Sequence, residues 1–437
     1  MKNLAQKICT KNFMLNVLFT LFLIAIYKSF KEAMLTEYGL GSYFISEFLI
    51  NYQGGFVRRG LIGEILFFLR GIVPFDVEWT VKILCAICFL LVCSFFVYHF
   101  IKRKFSLYIL PLCFFCGALV INNEYWIRKD SLMILFLIAS LWIFQVPKKL
   151  PFTVKILIVN FLLIFMTLSH EVFAFISIPV FIVLLINLFK EKGIIKSLLM
   201  SLLCLCPTII AFFSVMYAKG DYQIAQTIWD SWHILLNKEL TPVDYNNSIG
   251  ALFWGTIATV KSHFSEIFLT IDWEVLSVFV WMIILPVIYY ISTNFLSVFH
   301  KKGSNFNEEK KTILSAILIF QFICLLPLFL GLSKDYIRLA FYLITSAFAI
   351  FLLIPFDTLK SLFPQFYIRF IEKLNHAISK LIPPSKPVLV LLMLIVGISN
   401  WGFNIYDTLT STMLYQVLKE LTIVVRLFVH VVHHLLF

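Results

Sequence analysis

The stretch INYQGGFVRRGLIGE, residues 50–64, sets two adjacent arginines among four glycines in a chain that is otherwise mostly apolar. Charged side chains this close to hydrocarbon are costly and usually serve a function. As a helix, the apolar piece that begins inside this stretch, residues 61–73, would rise only about 20 Å, too short for a hydrocarbon core of ~30 Å. We therefore expect residues 61–73 to lie in or dip into the membrane interface without crossing it.

The composition identifies the class of protein. Of 437 residues, 61% are hydrophobic and only 14% are charged, and the mean hydropathy is +0.93. No soluble domain of this size has so little polar surface. Because runs of ~20 apolar residues recur, we predict an all-α polytopic membrane protein with about 11–12 transmembrane helices in a single transmembrane domain, residues 1–437. The net charge of +12 reflects topology and predicts a lipid bilayer, not nucleic acid, as partner.

The basic residues orient the chain. Lys2, Lys7 and Lys11 place the N-terminus in the cytoplasm, before a first span over roughly 13–29. If residues 61–73 do not cross, the clear basic clusters that follow face the cytoplasm; if they cross, these clusters face outward. The positive-inside rule favours the first arrangement. The later spans are then roughly 80–101, 105–122, 131–147, 153–169, 172–189, 197–217, 275–297, 313–333, 339–355 and 387–406.

Three connecting segments stand out under this topology. Residues 28–79 form the first external loop, in which we expect interfacial helices. Residues 218–274 form a long external loop whose mixture of aromatic and charged residues also predicts short interfacial helices. Residues 357–386 alternate apolar and basic positions, which predicts a cytoplasmic amphipathic segment resting on anionic lipid and ending at Pro383 and Pro384.

The external helix ends carry arginines, each with an acidic residue nearby in the sequence. The pairs are Arg58 and Arg59 with Glu47 or Glu64, Arg128 with Asp130, and Arg338 with Asp335. Arginine on the outer side opposes the topology bias, and its guanidinium binds phosphate through two parallel hydrogen bonds. Each pair could instead be a structural tie between helix ends. The adjacent positive charges of Arg58 and Arg59 favour a shared anion, which the neighbouring glycines would let the backbone approach closely.

A histidine–glutamate pair, two CxxC pairs and the external carboxylates are the other candidates for catalytic groups or metal ligands. His170 and Glu171 lie between two predicted spans with almost no loop, so they are either a buried tie between helices or a catalytic or acceptor-binding pair. The CxxC pairs at 85–88 and 113–116 lie in apolar runs, where cysteine behaves as a small hydrophobe, and no metal site is predicted there. The external carboxylates could hold a divalent cation as cofactor, although no spacing demands one.

An N-in first span followed by an outward loop with two interfacial helices resembles the GT-C superfamily of membrane glycosyltransferases. The stretch TEYGLGSYF, residues 36–44, occupies the place of that family's acidic motif, with Glu37 where the family usually has an aspartate or a pair of acids. The resemblance implies a polyprenyl-phosphate-linked sugar donor and an acid of this loop as catalytic base. The high phenylalanine content also resembles bacterial O-antigen-processing proteins. That likeness implies the bacterial inner membrane, with the N-terminus cytoplasmic and the active face periplasmic.

On this resemblance, we expect a glycosyltransferase that moves a sugar from the lipid donor to a lipid-linked glycan acceptor. The residues expected to bind the phosphate or the substrate are Arg58, Arg59, Arg128, Arg338 and His170. The residues considered as catalytic base are Glu37 first, Glu47 second, and Glu171 and Asp130 after them. A single displacement by the acceptor hydroxyl would invert the anomeric centre.

Two alternatives stay open. The long loop 218–274 favours an O-antigen polymerase that joins lipid-linked repeat units, whereas the loop 28–79 favours a glucosyltransferase. A lipid or solute transporter is the other class. Transporters tend to place charges and broken helices at mid-membrane in repeated halves, and this sequence has few mid-span charges and no evident repeat.

Overall fold

The computed structural model describes residues 13–110, 123–145, 150–218, 220–253, 273–299, 306–332 and 336–396, with scattered positions between 412 and 427. These residues form helices and no strand. The α-helices, in chain order, are α1 Phe13–Leu35, α2 Tyr43–Leu49, α3 Gly60–Ile72, α4 Val77–Lys102, α5 Asp130–Gln145, α6 Phe152–Ser169, α7 Val172–Phe189, α8 Ile194–Cys204, α9 Cys206–Tyr217, α10 Tyr222–Leu235, α11 Trp273–Val298, α12 Glu308–Pro327, α13 Tyr336–Leu353, α14 Phe356–Leu362, α15 Gln365–Leu381 and α16 Lys386–Ile395. Shorter turns of 3₁₀ helix include Asn123–Trp126 and Gly250–Phe253.

Polar caps mark where several helices begin. The side chain of Asp76 accepts a hydrogen bond from the Trp79 backbone N–H at 2.8 Å, which starts α4. Asp221 and Asn307 play the same part for α10 and α12. These side chains satisfy N–H groups that the first helical turn leaves without partners, so short polar segments between apolar runs set the helix starts.

Six of the described helices are long and apolar enough to cross a membrane, and two bent pairs raise the number to eight if each pair is one span. The chain is therefore a multi-pass helical membrane protein. The sequence predicts about 11–12 crossings, more than the six to eight found among the described residues. The predicted span 131–147 is described as the helix Asp130–Gln145, and its last two positions lie outside the described residues. The predicted spans 105–122 and 387–406 lie partly outside the described residues.

One of the two bent pairs replaces a predicted straight helix. The expected span 197–217 is broken at Leu205 into α8 and α9, which meet at 65°. Asn160 on α6 stabilises this break: its side-chain amide donates to the Cys204 carbonyl at 2.8 Å and accepts from Thr208 at 2.7 Å. Helices α15 and α16 form the other pair, bent by 91°.

Helix α13 is the most enclosed span, with 89% of its apolar window buried. It packs against α5, α7 and α12, and α5 packs in turn against α4 and α6. Arg338 near the start of α13 and Asp130 at the start of α5 therefore lie at the same end of the bundle, where their side chains meet.

The two predicted external loops are in direct contact. Trp232 on α10 donates its indole N–H to the Leu49 carbonyl at 2.7 Å. Ser248 donates its backbone N–H to the Ser46 hydroxyl at 2.9 Å. Segments 43–72 and 220–253 pack together, which agrees with a topology that places both on one side of the membrane. Their common external location stays a prediction.

Helix α3 matches the predicted short piece 61–73 closely. Its 13 residues bury Ile62, Gly63 and Leu66 against the protein and expose Phe68 and Ile72 on the opposite face. A short helix with one exposed apolar face suits the membrane interface, and that location stays a prediction.

The predicted amphipathic segment 357–386 contains α14 and α15. Helix α15 packs on α12 with one face, where Tyr367 donates its hydroxyl to the Ala316 carbonyl at 2.9 Å. Its other face exposes Phe366 and Phe370 between basic residues such as Arg369. The helix ends before Pro383, as predicted, and its contact with cytoplasmic lipid stays a prediction.

Candidate functional site

Three consecutive ionisable residues at the start of α5, Arg128, Lys129 and Asp130, are all buried. Each side chain reaches a different segment of the chain. Such groups are expensive to bury unless they are paired or hydrogen-bonded. The start of α5 is therefore the junction of a polar network, which we call the buried charge cluster. Its members are Glu47, Arg59, Arg128, Lys129, Asp130, His170, Glu171 and Arg338.

Arg128 and Asp130 form ion pairs with distant helices. The Arg128 Nη1 atom lies 3.5 Å from Glu47 Oε2 on α2, and its guanidinium stacks over the ring of Phe44 at 4.5 Å. Asp130 accepts two-pronged hydrogen bonds from Arg338 on α13, the shortest at 2.7 Å. It also accepts a hydrogen bond from the Tyr342 hydroxyl.

Lys129 contacts backbone, not a carboxylate. Its Nζ atom donates to the carbonyls of Arg59 at 3.3 Å and Ser169 at 3.2 Å, and it lies 5.3 Å from the centre of the Phe48 ring. The side chain is fully buried. Burial lowers the pKa of Lys129 to about 8, although the nearby charge of Glu47 acts in the opposite direction.

Arg59 and Glu171 form the closest pair of the cluster. The guanidinium of Arg59 donates from Nε and Nη2 to the Glu171 carboxylate at 2.6–3.1 Å, and its Nη1 lies 4.0 Å from Glu47. Arg59 also has a left-handed backbone, with φ 67°, immediately before α3. A side chain with a Cβ rarely adopts this conformation unless its surroundings impose it, and such residues are enriched at functional sites.

His170 sits between the two carboxylates. Its Nε2 atom faces Glu47 Oε1 at 3.3 Å without hydrogen-bond geometry, and its Nδ1 atom accepts the Val172 backbone N–H at 3.4 Å. Burial and the charge of Arg59 lower the pKa of His170, so the imidazole is neutral at pH 7. From these contacts we assign the ring proton to Nε2, the atom that faces Glu47.

Glu47 and Glu171 are held in the ionised form. Burial by itself would raise the pKa of Glu47, but the contacts with His170 and Arg128 hold it well below its usual range. Burial would likewise raise the pKa of Glu171, and the opposing charge of Arg59 lowers it. Both carboxylates are strong acids in this arrangement and weak bases.

The cluster and its border carry more positive than negative charge. Arg58 lies at the border, partly exposed, and donates from Nη2 to the Ala251 carbonyl at 3.1 Å. Five cations therefore accompany three carboxylates, with His170 neutral. The cations are Arg58, Arg59, Arg128, Lys129 and Arg338, and the carboxylates are Glu47, Asp130 and Glu171. This excess of positive charge suits an anionic ligand.

The structure brings most of the predicted site residues together, and Arg58 lies beside them. The predicted base Glu37 is the exception: it is exposed on the loop after α1 and makes no hydrogen bond or ion pair with the described residues. Sequence reasoning missed Lys129 as a site residue. The signal for it was its position between Arg128 and Asp130, directly before an apolar run.

One predicted pairing is confirmed, because Arg59 lies 4.0 Å from Glu47, and another is wrong. Asp130 pairs with Arg338 of α13, not with Arg128 two residues away. Glu64 accepts hydrogen bonds from the Tyr52 backbone at 2.8 Å and the Gln53 side chain at 2.9 Å, not from the adjacent arginines. The predicted partner of Arg338, Asp335, lies outside the described residues. Proximity in sequence did not determine the ion pairs because each side chain points toward a neighbouring helix.

Two glycines of the opening stretch, Gly54 and Gly63, serve packing, and the expected approach of the glycine backbone to an anion stays a prediction. A Cβ atom on Gly63 would lie 1.9 Å from the Ile50 carbonyl oxygen, and one on Gly54 would lie 2.6 Å from the Ile224 carbonyl oxygen. Only a residue without a side chain lets these backbones cross so closely. These two glycines therefore hold α3 and α10 against segment 43–55.

Among the described residues, no three histidine, cysteine or acidic side chains are arranged to hold a metal ion.

No family model matches this chain, and neither a curated protein nor a solved structure matches it significantly. The GT-C architecture and the divalent cation stay predictions. The geometry of the buried charge cluster is therefore the basis for a proposed function.

Proposed function

We propose that this chain is a membrane glycosyltransferase that moves a sugar from a polyprenyl-phosphate-type lipid donor to a lipid-linked glycan on the periplasmic face of the bacterial inner membrane. The observation that supports this proposal is the excess of positive charge at one end of the bundle, beside a helix whose exposed face is apolar. An anionic lipid substrate requires both features. Its phosphate needs cations, and its chain needs access from the bilayer.

Arg58 is the residue that would meet the donor phosphate. It is partly exposed and bonds a backbone carbonyl at 3.1 Å, which a phosphate can displace or join. Arg128 and Arg338 are buried in ion pairs with Glu47 and Asp130, so in this proposal they support the site from behind. Arg59 can both bind the phosphate and support the site, because its guanidinium pairs with Glu171 and is about one-fifth exposed.

The Arg59–Glu171 pair offers a way to produce a base. If the donor phosphate draws Arg59 away, Glu171 loses the charge that lowers its pKa and becomes able to accept a proton. Glu171 then takes the proton of the acceptor hydroxyl as its oxygen bonds to the anomeric carbon. The bond from that carbon to the phosphate oxygen breaks, and the lipid phosphate leaves with Arg58 as its counter-ion. The arginine partners of Glu47 and Asp130 are buried, whereas Arg59 is partly exposed and can be drawn away, so Glu171 is the better candidate.

The proposal is tested with membranes that contain the protein, a labelled polyprenyl-phosphate sugar and lipid-linked glycan. We expect Arg58→Ala to insert normally and to lose transfer by about 10²–10³-fold, the usual effect of removing one charge-stabilising donor. Arg369→Ala, on the exposed face of α15, is the matched control and should leave transfer unchanged. Normal transfer by Arg58→Ala would refute the phosphate site.

An O-antigen polymerase is the second candidate, supported by one observation. The loop that favours it contributes the Ala251 carbonyl that holds Arg58, and α10 of the same loop packs on α3. The loop 28–79, which favours a glucosyltransferase, and the loop 218–274, which favours a polymerase, are therefore in contact beside the same candidate site. A polymerase would extend a lipid-linked repeat unit into a ladder of products without a separate sugar donor, and a glucosyltransferase would add one sugar per acceptor site.

A further inference from the structure

Lys129 has no role in the transfer chemistry set out above, yet it is buried at the centre of the cluster. We infer that Lys129 is a positioning residue: it joins the backbone of Arg59 to the end of α6 and so holds Arg59 and Glu171 opposite each other. The consequence for catalysis rests on the proposed function. The positioning itself rests only on the contacts of Lys129.

The contacts close a ring. The Nζ atom of Lys129 donates to the carbonyl of Arg59 at 3.3 Å, and the side chain of Arg59 bonds the carboxylate of Glu171. Glu171 follows Ser169 by two residues, and the Ser169 carbonyl accepts the other hydrogen bond of Lys129 at 3.2 Å. Backbone and side chain of the same arginine are thereby tied to the same short segment, residues 169–171. A change at Lys129 therefore alters the Arg59–Glu171 geometry without contacting the substrate.

A lysine suits both acceptors. Ser169 is the last residue of α6, where carbonyls lack helical partners and the helix dipole is negative, so a cation is favoured there. Arg59 has the left-handed backbone, which persists only where neighbouring groups impose it. The hydrogen bond from Lys129 to the Arg59 carbonyl is one contact that can impose this conformation on Arg59. The flanking ion pairs of Arg128 and Asp130 hold the lysine backbone from two sides, and the two carbonyl acceptors and the Phe48 ring hold its ammonium.

The charge of Lys129 adds a pH dependence that a purely steric residue would lack. Burial lowers the pKa of Lys129 to about 8, so the ammonium predominates at neutral pH and is lost on the alkaline side. The neutral amine bonds carbonyls more weakly. The groups that face this ammonium from the surrounding segments are Glu47 of α2, Cys85 of α4, Arg59 before α3 and Glu171 before α7.

The chain offers a matched control for this lysine. Lys82 of α4 is also buried and also donates to two backbone carbonyls, those of Met34 at 3.4 Å and Thr36 at 2.6 Å. It pairs with Glu78, which accepts the backbone N–H groups of the loop after α1. Removing either lysine should loosen the segment that it holds and leave the other segment unchanged.

The experiment measures hydrogen exchange by mass spectrometry on purified protein in detergent. In Lys129→Met we expect faster exchange at the amides of residues 57–63 and 170–174, and in Lys82→Met at residues 34–39 only. Lys129→Arg should keep the protection, because arginine retains donors and charge. Unchanged exchange at 57–63 in folded Lys129→Met would overturn the inference. If that variant does not fold, Lys129→Gln decides, because it keeps a donor and loses the charge: its amides at 57–63 should exchange faster than those of wild type, and equal exchange would overturn the inference.

A transfer assay then separates positioning from the proposed function. Lys129→Met should lower kcat by about 10–100-fold with little change in the donor KM, as misplaced catalytic groups do. Wild-type kcat should decline above pH 8, and this decline should be absent in the variant. Suppose that residues 57–63 exchange faster in Lys129→Met and that the wild type transfers no sugar. These two results together would refute the glycosyltransferase and retain the positioning role of Lys129. Equal kcat in wild type and variant would refute the role of Lys129 in catalysis.

Discussion

The Asp130–Arg338 pair in the buried charge cluster and the Lys360–Glu309 pair between α14 and α12 have nearly the same separation, 2.7 and 2.6 Å. Their surroundings differ. The first pair is about one-tenth exposed at each side chain, and the second is 63% and 47% exposed. A buried charge depends on its partner, whereas water can replace the partner of an exposed one. Two ion pairs of nearly the same length are therefore expected to contribute differently to stability. Single substitutions in the buried charge cluster should lower the free energy of unfolding most.

The largest effect is expected for Asp130→Ala. It leaves Arg338 buried without its counter-charge and removes the acceptor of the Tyr342 hydroxyl. We expect the free energy of unfolding to fall by about 3–5 kcal/mol. Thermal or denaturant unfolding of the purified protein in detergent measures it. The double variant Asp130→Leu with Arg338→Met should recover part of the loss, and a double variant as unstable as the single would contradict a charge-pair explanation.

Glu171→Gln comes next and sharpens the comparison through pH. Because Arg59 is partly exposed, we expect a loss of about 1–3 kcal/mol at pH 7. The folded-state pKa of Glu171 is lowered, so its stabilising contribution is complete above the ordinary value of 4.5 and is lost as the pH falls through the folded-state pKa. The gap between wild type and variant should therefore shrink below pH 4.5. A constant gap from pH 7 to pH 3 would contradict an electrostatic origin.

Gly63→Ala tests packing at the same end of the molecule. The new methyl group would overlap the Ile50 carbonyl, so we expect a loss of about 1–3 kcal/mol despite the better helix propensity of alanine. Gly71, in the same helix α3, has open space around its Cβ position. Gly71→Ala is the matched control and should be neutral or slightly stabilising in the same unfolding assay. Similar effects of both substitutions would show that α3 does not pack as described.

The smallest effect is expected for Glu309→Ala. It removes the exposed pair with Lys360, and unfolding should not change measurably because both side chains remain in contact with water. This result would complete the contrast with Asp130. A loss comparable to that of Asp130→Ala would break the comparison and show that exposure does not determine the importance of ion pairs in this protein.

The membership of the site was largely predictable from the sequence, and its ion pairs only in part. The charged residues at the external helix ends were identified from the sequence, because charge is rare in this chain and its positions along the spans are evident. Glu47, Glu171 and Arg59 converge as expected. Glu37, which its place in the loop favours, is exposed and lies outside the cluster. The next acid along the chain, Glu47, lies on α2, and this helix turns it inward. Sequence spacing contains no information about that turn.

The fold shows the same division. The 13-residue length and one-sided burial of α3 agree with what residues 61–73 predict. The break at Leu205 was not predicted, although Pro207 near the start of α9 is a local signal for it. Its stability depends on Asn160, 44 residues from the Cys204 carbonyl that it bonds. A contact over such a distance along the chain is visible only once the helices are packed.

The sequence by itself determined that this is a helical membrane protein with its charges at the helix ends, because the free energy of placing apolar and charged side chains in a bilayer depends on local composition alone. Only the tertiary structure decided that Asp130 meets Arg338, that Arg59 meets Glu171, and that Lys129 joins two backbones. Ion pairs and carbonyl contacts act over a few ångströms. They exist only after α5, α6 and α13 have packed side by side.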